Sequence, residues 1–359
     1  MPLAQGQVIH NRYRIVRLLG QGGFGAVYRA WDVTLDCPCA VKESFEVSPV
    51  GQRQFLHEAR ILARLSHPNL PRVSDFFTIP RKGQYLVMDF IEGQDLEELL
   101  AQPGGRLPEN QVIPWIAQAC DALSYLHRQQ PPVIHRDIKP ANIKITPPDQ
   151  DYPHGRAMLV DFGVAKVYGP AKRTTKGARA VTPGYSPHEQ YGQSHAITDS
   201  RTDIYALGAT LYTLLTGEEP PESIQRMLRD PLIPPRQLNP GISTNAEAVV
   251  LKAMQNDPDA RFQSAAEFKA ALLARSAAKP LPWKWLGLGA GLLAGLGLLA
   301  GLAGMGLKGY SDRQVAQTTQ ARLSQTAEAL AAASSLTPSP LPPSPTATPS
   351  PLPPSPTAT

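Results

Sequence analysis

The sequence predicts an α+β chain in two unequal parts, one small and strand-rich, one larger and mainly helical, followed by one membrane-spanning helix and a disordered Pro-rich tail. Residues 10 to 90 read as short strands with one helix among them, and residues 91 to 275 as apolar-faced helices around a carboxylate-rich hairpin. Near residue 280 the composition turns to Leu and Gly and then to Pro. The 359 residues suffice for two ordinary domains or one large domain with appendages, and 37 prolines are too many for one compact fold. The formal net charge of +5 is spread over scattered Lys and Arg with no aromatic-interleaved basic run, so a solvated surface is expected rather than a nucleic-acid partner. Cys37, Cys39 and Cys120 lack metal-ligand spacing and fit a reducing compartment. No secretory signal is read after Met1, so the first domain is expected in the cytosol.

In chain order, an apolar run from Tyr13 leads into Gly20-Gln21-Gly22-Gly23-Phe24-Gly25-Ala26-Val27, a G-x-G-x-x-G-x-V match. A dinucleotide fingerprint shares its first six positions but would open a helix, whereas the residues from Ala26 to Trp31 alternate as a strand. The glycines are therefore expected to form a hairpin lid whose backbone N–H groups approach phosphate oxygens closely. Lys42 follows on an apolar strand, and Glu58 lies sixteen residues later on a segment of helical apolar period from Phe55 to Leu65. Two further strands follow, the second ending near Asp89, and a long apolar-faced helix spans Val112 to His127.

The stretch from Val133 to Gly163 carries the chemistry. Asp137, Lys139, Asn142 and Asp161 place two carboxylates, an ammonium and an amide in one hairpin between apolar runs. Phosphoryl transfer is catalysed mainly by positioning and charge neutralisation, and Mg²⁺ prefers one or two carboxylates with substrate phosphates, so this donor set suits it. His135-Arg136-Asp137 through Asn142, followed by Asp161-Phe162-Gly163, resembles the catalytic loop and metal-binding motif of protein kinases. Lys139 resembles the serine/threonine branch, and the whole chain resembles the bacterial receptor-type, membrane-anchored members of the eukaryotic-like protein kinase superfamily.

That resemblance covers roughly residues 10 to 275 and implies a two-lobed protein kinase fold, with a small β-rich N-lobe at about 10 to 90 and a larger helical C-lobe at about 91 to 275. It implies ATP and Mg²⁺ as cofactors, with Mn²⁺ as a substitute. Asp137 is the implied base and Lys139 its charge-stabilising neighbour, while Asn142 and Asp161 are the implied metal ligands. Leu19, Gly20, Gly22, Gly25, Val27, Ala40, Lys42 with its partner Glu58, Met88, Asp89, Ile91 and Asp95 are implied to hold the nucleotide. Residues 164 to 190, poor in large apolar side chains, are expected to form a mobile loop, in which Thr174 or Thr175 is the regulatory phosphorylation site. A phosphate there would carry roughly −1.5 to −2 charges for Arg136 and its neighbours to bind. Thr182 is implied to dock substrate, Glu189 to pair with Arg261, and Asp203, inside an otherwise apolar helix, to accept backbone N–H bonds from the catalytic loop. Two residues depart from the family pattern: His188 stands in a proline position, and Lys144 stands where an apolar residue floors the adenine pocket.

After a linker at 276 to 285, residues 286 to 307 are twenty-two uncharged residues, nine of them Leu and eight Gly. At 1.5 Å per residue they span about 33 Å, enough for a bilayer core. Trp283 and Trp285 fit the interfacial belt, and glycines four apart suit a homodimer through this helix. Residues 308 to 336 read as a polar segment of helical character, and an eleven-residue Pro-rich repeat fills 337 to 359, extended and expected outside the cell. The expected function is a membrane-anchored, non-specific serine/threonine protein kinase acting on protein substrates, regulated by autophosphorylation. The alternative is a nucleotide-binding pseudokinase scaffold, and a small-molecule kinase of similar fold is a further rival.

Overall fold

The computed structural model describes residues 2 to 274 except Phe24, Val47, Arg81, 162–180 and 193–197. The segment 286 to 307 and the repeats after it lie outside the described residues. Among the described residues no helix is long and apolar enough to cross a membrane.

Alternating side chains build the N-terminal layer. In β3 (Gly25–Asp32) every second residue is buried, the period of a strand with one face on a core. It pairs antiparallel with β2 (Tyr13–Gly22) and β4 (Cys37–Ser44), and with β1 (Val8–Ile9), β5 (Val73–Ile79) and β6 (Gly83–Asp89) it forms one sheet of order β1-β2-β3-β4-β6-β5. The register Gly22↔Gly25 closes β2 and β3 as the expected glycine hairpin. Gly25 is required by a close approach, because a Cβ there would lie 2.1 Å from the Glu43 carbonyl oxygen.

One helix, α1 (Pro49–Leu62), packs on this sheet, with the Phe55 ring 5.6 Å from that of Phe76. It begins six residues before the expected Phe55 and stops at Leu62 rather than Leu65. The Ser48 side chain accepts from the Gly51 N–H at 3.0 Å and Pro49 occupies the first turn, where its missing N–H costs nothing.

The larger layer is helical. α2 (Leu96–Leu100) starts from an Asp95 capping box, α3 (Glu109–His127) follows, and α4 (Ser200–Thr216) is buried from Thr202 to its end. Around α4 lie α5 (Ser223–Leu228), α6 (Pro235–Leu238), α7 (Thr244–Ala253) and α8 (Ala265–Leu273). A three-stranded sheet of β7 (Gln94–Asp95), β8 (Ile143–Ile145) and β9 (Ala157–Leu159) lies against this core. Met1–Ala277 forms one compact unit, so both layers belong to one body.

The structure corrects the expected mobile loop at its end. Residues 181 to 190 are packed: Tyr185, Ser186, Glu189 and Gln190 are buried, and a 3₁₀ turn spans His188–Tyr191. The cause is an ion pair. The Arg261 guanidinium donates to both Glu189 carboxylate oxygens, at 2.7 and 3.1 Å, and to the carbonyls of Gln255, Asn256 and Arg201. Thr202 Oγ1 donates to Glu189 Oε1 at 3.2 Å, tying the same carboxylate to α4. Both ionic side chains are 0–1 % exposed. Removing one partner strands a buried charge, so Arg261→Met is expected to cost about 3–5 kcal/mol of stability. Urea unfolding checks this, and Glu189→Leu combined with Arg261→Met is expected to be less destabilised than either single variant.

Candidate active site

Register gathers the first half of the site. Val27 lies opposite Lys42, Lys42 opposite Leu86, and Ala40 opposite Met88. Opposed residues of antiparallel strands share a face, so Val27, Ala40, Lys42, Leu86 and Met88 line one side of the sheet. The other side carries Tyr28, Val41, Tyr85 and Val87, which form the N-terminal core. Leu19 and Gly20 lie at a bulge in β2, beside Val27. The Lys42 ammonium makes an ion pair with Asp161 Oδ1, which brings the glycine-covered sheet and the carboxylate hairpin together. Leu86, Met88, Lys42 and Asp161 line one pocket. Glu58 is wholly buried on α1 and accepts from Gln54 Nε2 at 3.0 Å.

The second half is the catalytic loop between α3 and β8, braced from below. Asp203 on α4 is fully buried; its Oδ2 accepts the His135 N–H at 2.9 Å and its Oδ1 the Arg136 N–H at 2.7 Å. His127, at the end of α3, places Nε2 2.8 Å from Asp203 Oδ2. Burial alone would raise the Asp203 pKa, but His127, His135 and the Arg136 N–H outweigh it and hold the carboxyl below its ordinary value.

His135 locks the next layer. Its Nδ1 accepts the Asp137 N–H at 3.4 Å and its Nε2–H donates to the Val160 carbonyl at 3.2 Å, so one neutral tautomer spans the loop and the residue before Asp161. Burial pushes its pKa down, as it does for His67. Arg136 and Asp161 sit at φ +66° and +56°, left-handed conformations that cost roughly 1–3 kcal/mol each for such residues and persist only where neighbours impose them.

Above this floor the polar groups converge on Asp137. Its Oδ1 accepts from Thr182 Oγ1 at 2.8 Å and its Oδ2 from Asn142 Nδ2 at 3.1 Å, while Lys139 Nζ lies 3.7 Å from Oδ2. Asn142 Nδ2 also donates to the Asp137 carbonyl at 2.7 Å. That orientation leaves Asn142 Oδ1, with Asp161 Oδ2, as hard oxygen donors without a protein hydrogen-bond partner among the described residues. Among those residues no cluster of three or more His, Cys, Asp or Glu side chains would cage a metal alone. The donor set fits Mg²⁺, whose shell is normally completed by phosphate and water.

At the connection between the layers, Asp95 caps α2, accepting the Glu98 N–H at 2.9 Å, and Lys144 Nζ lies 3.9 Å from Asp95 Oδ2. Burial raises the Asp95 pKa against the opposing effects of the cap N–H groups and Lys144. Asp89 and Ile91 flank this connection. Phe162, Gly163, Thr174 and Thr175 lie outside the described residues. Sequence reasoning missed His127 and Gln190, whose Nε2 donates to the Arg136 carbonyl at 2.9 Å. It also missed Asn69, which accepts the Leu159 N–H at 2.9 Å and donates to the Ala157 carbonyl at 2.8 Å. His127 closes an amphipathic helix and Gln190 an exposed-looking polar run, so neither carried a local signal.

Residues 13–272 match the family of the protein kinase domain. Over 287 residues the chain is 35% identical to serine/threonine-protein kinase PknB of Mycobacterium leprae, a match covering 76% of this chain and 44% of that protein. A probable serine/threonine-protein kinase of Clostridium perfringens is 32% identical over 272 residues, covering 73% and 38%. The crystal structure of the Mycobacterium tuberculosis PknI kinase domain superposes with a TM-score of 0.59 at 28% identity, covering 76% of this chain and 98% of that one. The chain thus spans less than half the length of these curated relatives.

Two outcomes are expected from the braced loop. Asp203→Ala leaves the His135 and Arg136 N–H groups without their acceptor, at about 1–3 kcal/mol each, and should speed their amide hydrogen exchange about 10- to 100-fold. His135, neutral when folded, titrates lower than in the unfolded chain, so the unfolded state binds more protons and stability should fall as pH drops below about 6.5. Unfolding free energies measured from pH 7.5 to 5.5 check this, with a smaller slope in His135→Gln.

Proposed function

The chain belongs to the protein kinase family, and from that premise we propose that it transfers the γ-phosphoryl group of Mg·ATP to Ser and Thr hydroxyls of proteins. One observation carries the reading: Lys42 from the glycine-covered sheet and Asp161 from the hairpin are joined in one ion pair, beside Asp137, Lys139, Asn142 and Thr182.

In this mechanism Asp137 Oδ1, which holds the Thr182 hydroxyl at 2.8 Å, orients the substrate hydroxyl and accepts its proton. The hydroxyl oxygen bonds to the γ-phosphorus as the bond to the β–γ bridging oxygen breaks, releasing ADP. Lys139 neutralises charge on the migrating phosphoryl group, and Lys42, which the resemblance pairs with Glu58, steadies the other phosphates. Asn142 and Asp161 would hold Mg²⁺, which supplies charge neutralisation on the phosphates.

The reading extends to regulation and location. A phosphate on Thr174 or Thr175 would recruit Arg136 and the basic residues beside those threonines, in support of autophosphorylation control. The uncharged residues 286 to 307 support a single-pass anchor that keeps the kinase domain with cytosolic ATP, and their glycine spacing supports pairing with a second copy.

Incubation of the chain with labelled ATP, Mg²⁺ and a Ser/Thr peptide tests the activity. Wild type is expected to label the peptide, and Asp137→Asn to reduce kcat by about 10²- to 10⁴-fold, the contribution of one general base. No label on wild type overturns the reading, and full label on Asp137→Asn removes the assigned base.

A further inference from the structure

The peptide unit joining Arg136 to Asp137 sets the direction in which the Asp137 side chain leaves the backbone. Its N–H donates to His135 Nδ1 at 3.4 Å, and its carbonyl accepts from Gln190 Nε2 at 2.9 Å. The two ends of a trans peptide point in opposite directions, so the unit is gripped from both sides. Arg136 before it sits at φ +66°, a conformation that an arginine disfavours on its own. Asp203 holds only the near side of that residue, through the Arg136 N–H. The far side is the carbonyl, and there Gln190 is the donor.

Gln190 has no role in the transfer described above, yet it is only 6% exposed. It stands on the 3₁₀ turn His188–Tyr191, where its N–H donates to the Pro187 carbonyl at 2.9 Å and its neighbour Glu189 is locked to Arg261. Its backbone is therefore fixed. The carbonyl it faces only accepts, so the end of the amide turned toward Arg136 is the NH₂. The other end, Oε1, is buried and has no hydrogen-bond partner among the described residues. For stability the amide thus gains one bond and strands one acceptor, and comes out roughly even with an apolar side chain of the same length. What the amide adds is direction: it fixes the tilt of the peptide from which Asp137 projects.

The same segment reaches Asp137 a second time. Thr182 Oγ1 donates to Asp137 Oδ1 at 2.8 Å, and Ser186 holds Thr182 by accepting its N–H at Oγ and donating to its carbonyl, both at 2.9 Å. A substrate hydroxyl uses that same Oδ1 and competes with Thr182 for it. The bond from Gln190 is to the backbone and does not compete. We infer that Gln190 is a positioning residue for the transfer: by holding the Arg136 carbonyl it keeps the Asp137 carboxylate aimed at the substrate hydroxyl, and it makes that aim depend on the packing of segment 181–190. The inference rests on the transfer proposed above.

Kinetics of the full chain on Mg·ATP and a Ser/Thr peptide, beside urea unfolding, test it. Gln190→Met removes the donor and the stranded acceptor together, so its urea midpoint should stay close to that of wild type. Its ATP affinity and peptide KM are expected to be unchanged, and its kcat to fall about 10- to 100-fold, the loss that a misaligned reacting group brings. The Asp137 N–H should exchange with solvent about 10-fold faster. Gln190→Glu keeps the shape but turns an acceptor toward an acceptor, and burial favours the protonated carboxyl, which donates again. Its kcat relative to wild type should therefore rise about 10-fold between about pH 8 and about pH 6, and division by wild type cancels the titration of Asp137 itself. A Met variant with wild-type kcat overturns the inference, as does one whose kcat falls only in step with its stability. Should the Met variant fail to fold, a Glu variant whose ratio stays flat with pH overturns it. Wild type that labels no peptide overturns the kinase reading itself, before either variant is compared.

Discussion

The site depends on one buried carboxylate. Asp203 has no exposure to water, and a charge so placed is tolerable only when its lone pairs are occupied. Two backbone N–H groups of the catalytic loop and the His127 ring occupy them. The same contacts hold Arg136 at a left-handed φ that its side chain would otherwise disfavour. Through His135 the brace reaches Val160, one residue before Asp161. A rigid, fully packed helix thus fixes both carboxylates of the site by hydrogen bonds that run through the backbone, while their side chains engage Thr182, Asn142 and Lys42.

A second buried pair does comparable work for the segment that follows. Arg261 makes five hydrogen bonds, two of them to Glu189, and its guanidinium lies 5.0 Å from the Tyr205 ring centroid. Near it, His188 Nδ1 lies 3.5 Å from Glu189 Oε2, so the imidazole in the proline position turns toward the pair. The segment 181–190 is consequently ordered by polar contacts together with the burial of Tyr185 in the helical core. That explains why its composition read as a loop.

What was legible in the sequence follows the range of each interaction. Strand alternation, the glycine hairpin and the buried helix α4 are written in local periodicity, and the motif spacing pointed to Asp137, Asn142 and Asp161. The start of α1 was misplaced because Ser48 and Pro49 cap it from a stretch with no apolar period. His127, Gln190 and Asn69 act through partners 76, 54 and 88 residues away, separations over which a single sequence carries no pairing signal. Lys144 was visible as a departure, but its contact with Gly93 and Asp95 depends on the register of β7 with β8.

The glycine hairpin is mechanically lopsided. Its return arm, β3, is zipped to β4 along its length and seated at Gly25 against the Glu43 carbonyl, where even a methyl group would not fit. Its outgoing arm, β2, carries two register shifts and is exposed from Arg17 to Gly22. The outgoing arm is therefore the less constrained of the two, its tip held to the sheet through β3 alone. A nucleotide bound as proposed would meet the lightly held Leu18 and Leu19 on one side and the tightly paired strand carrying Lys42 on the other.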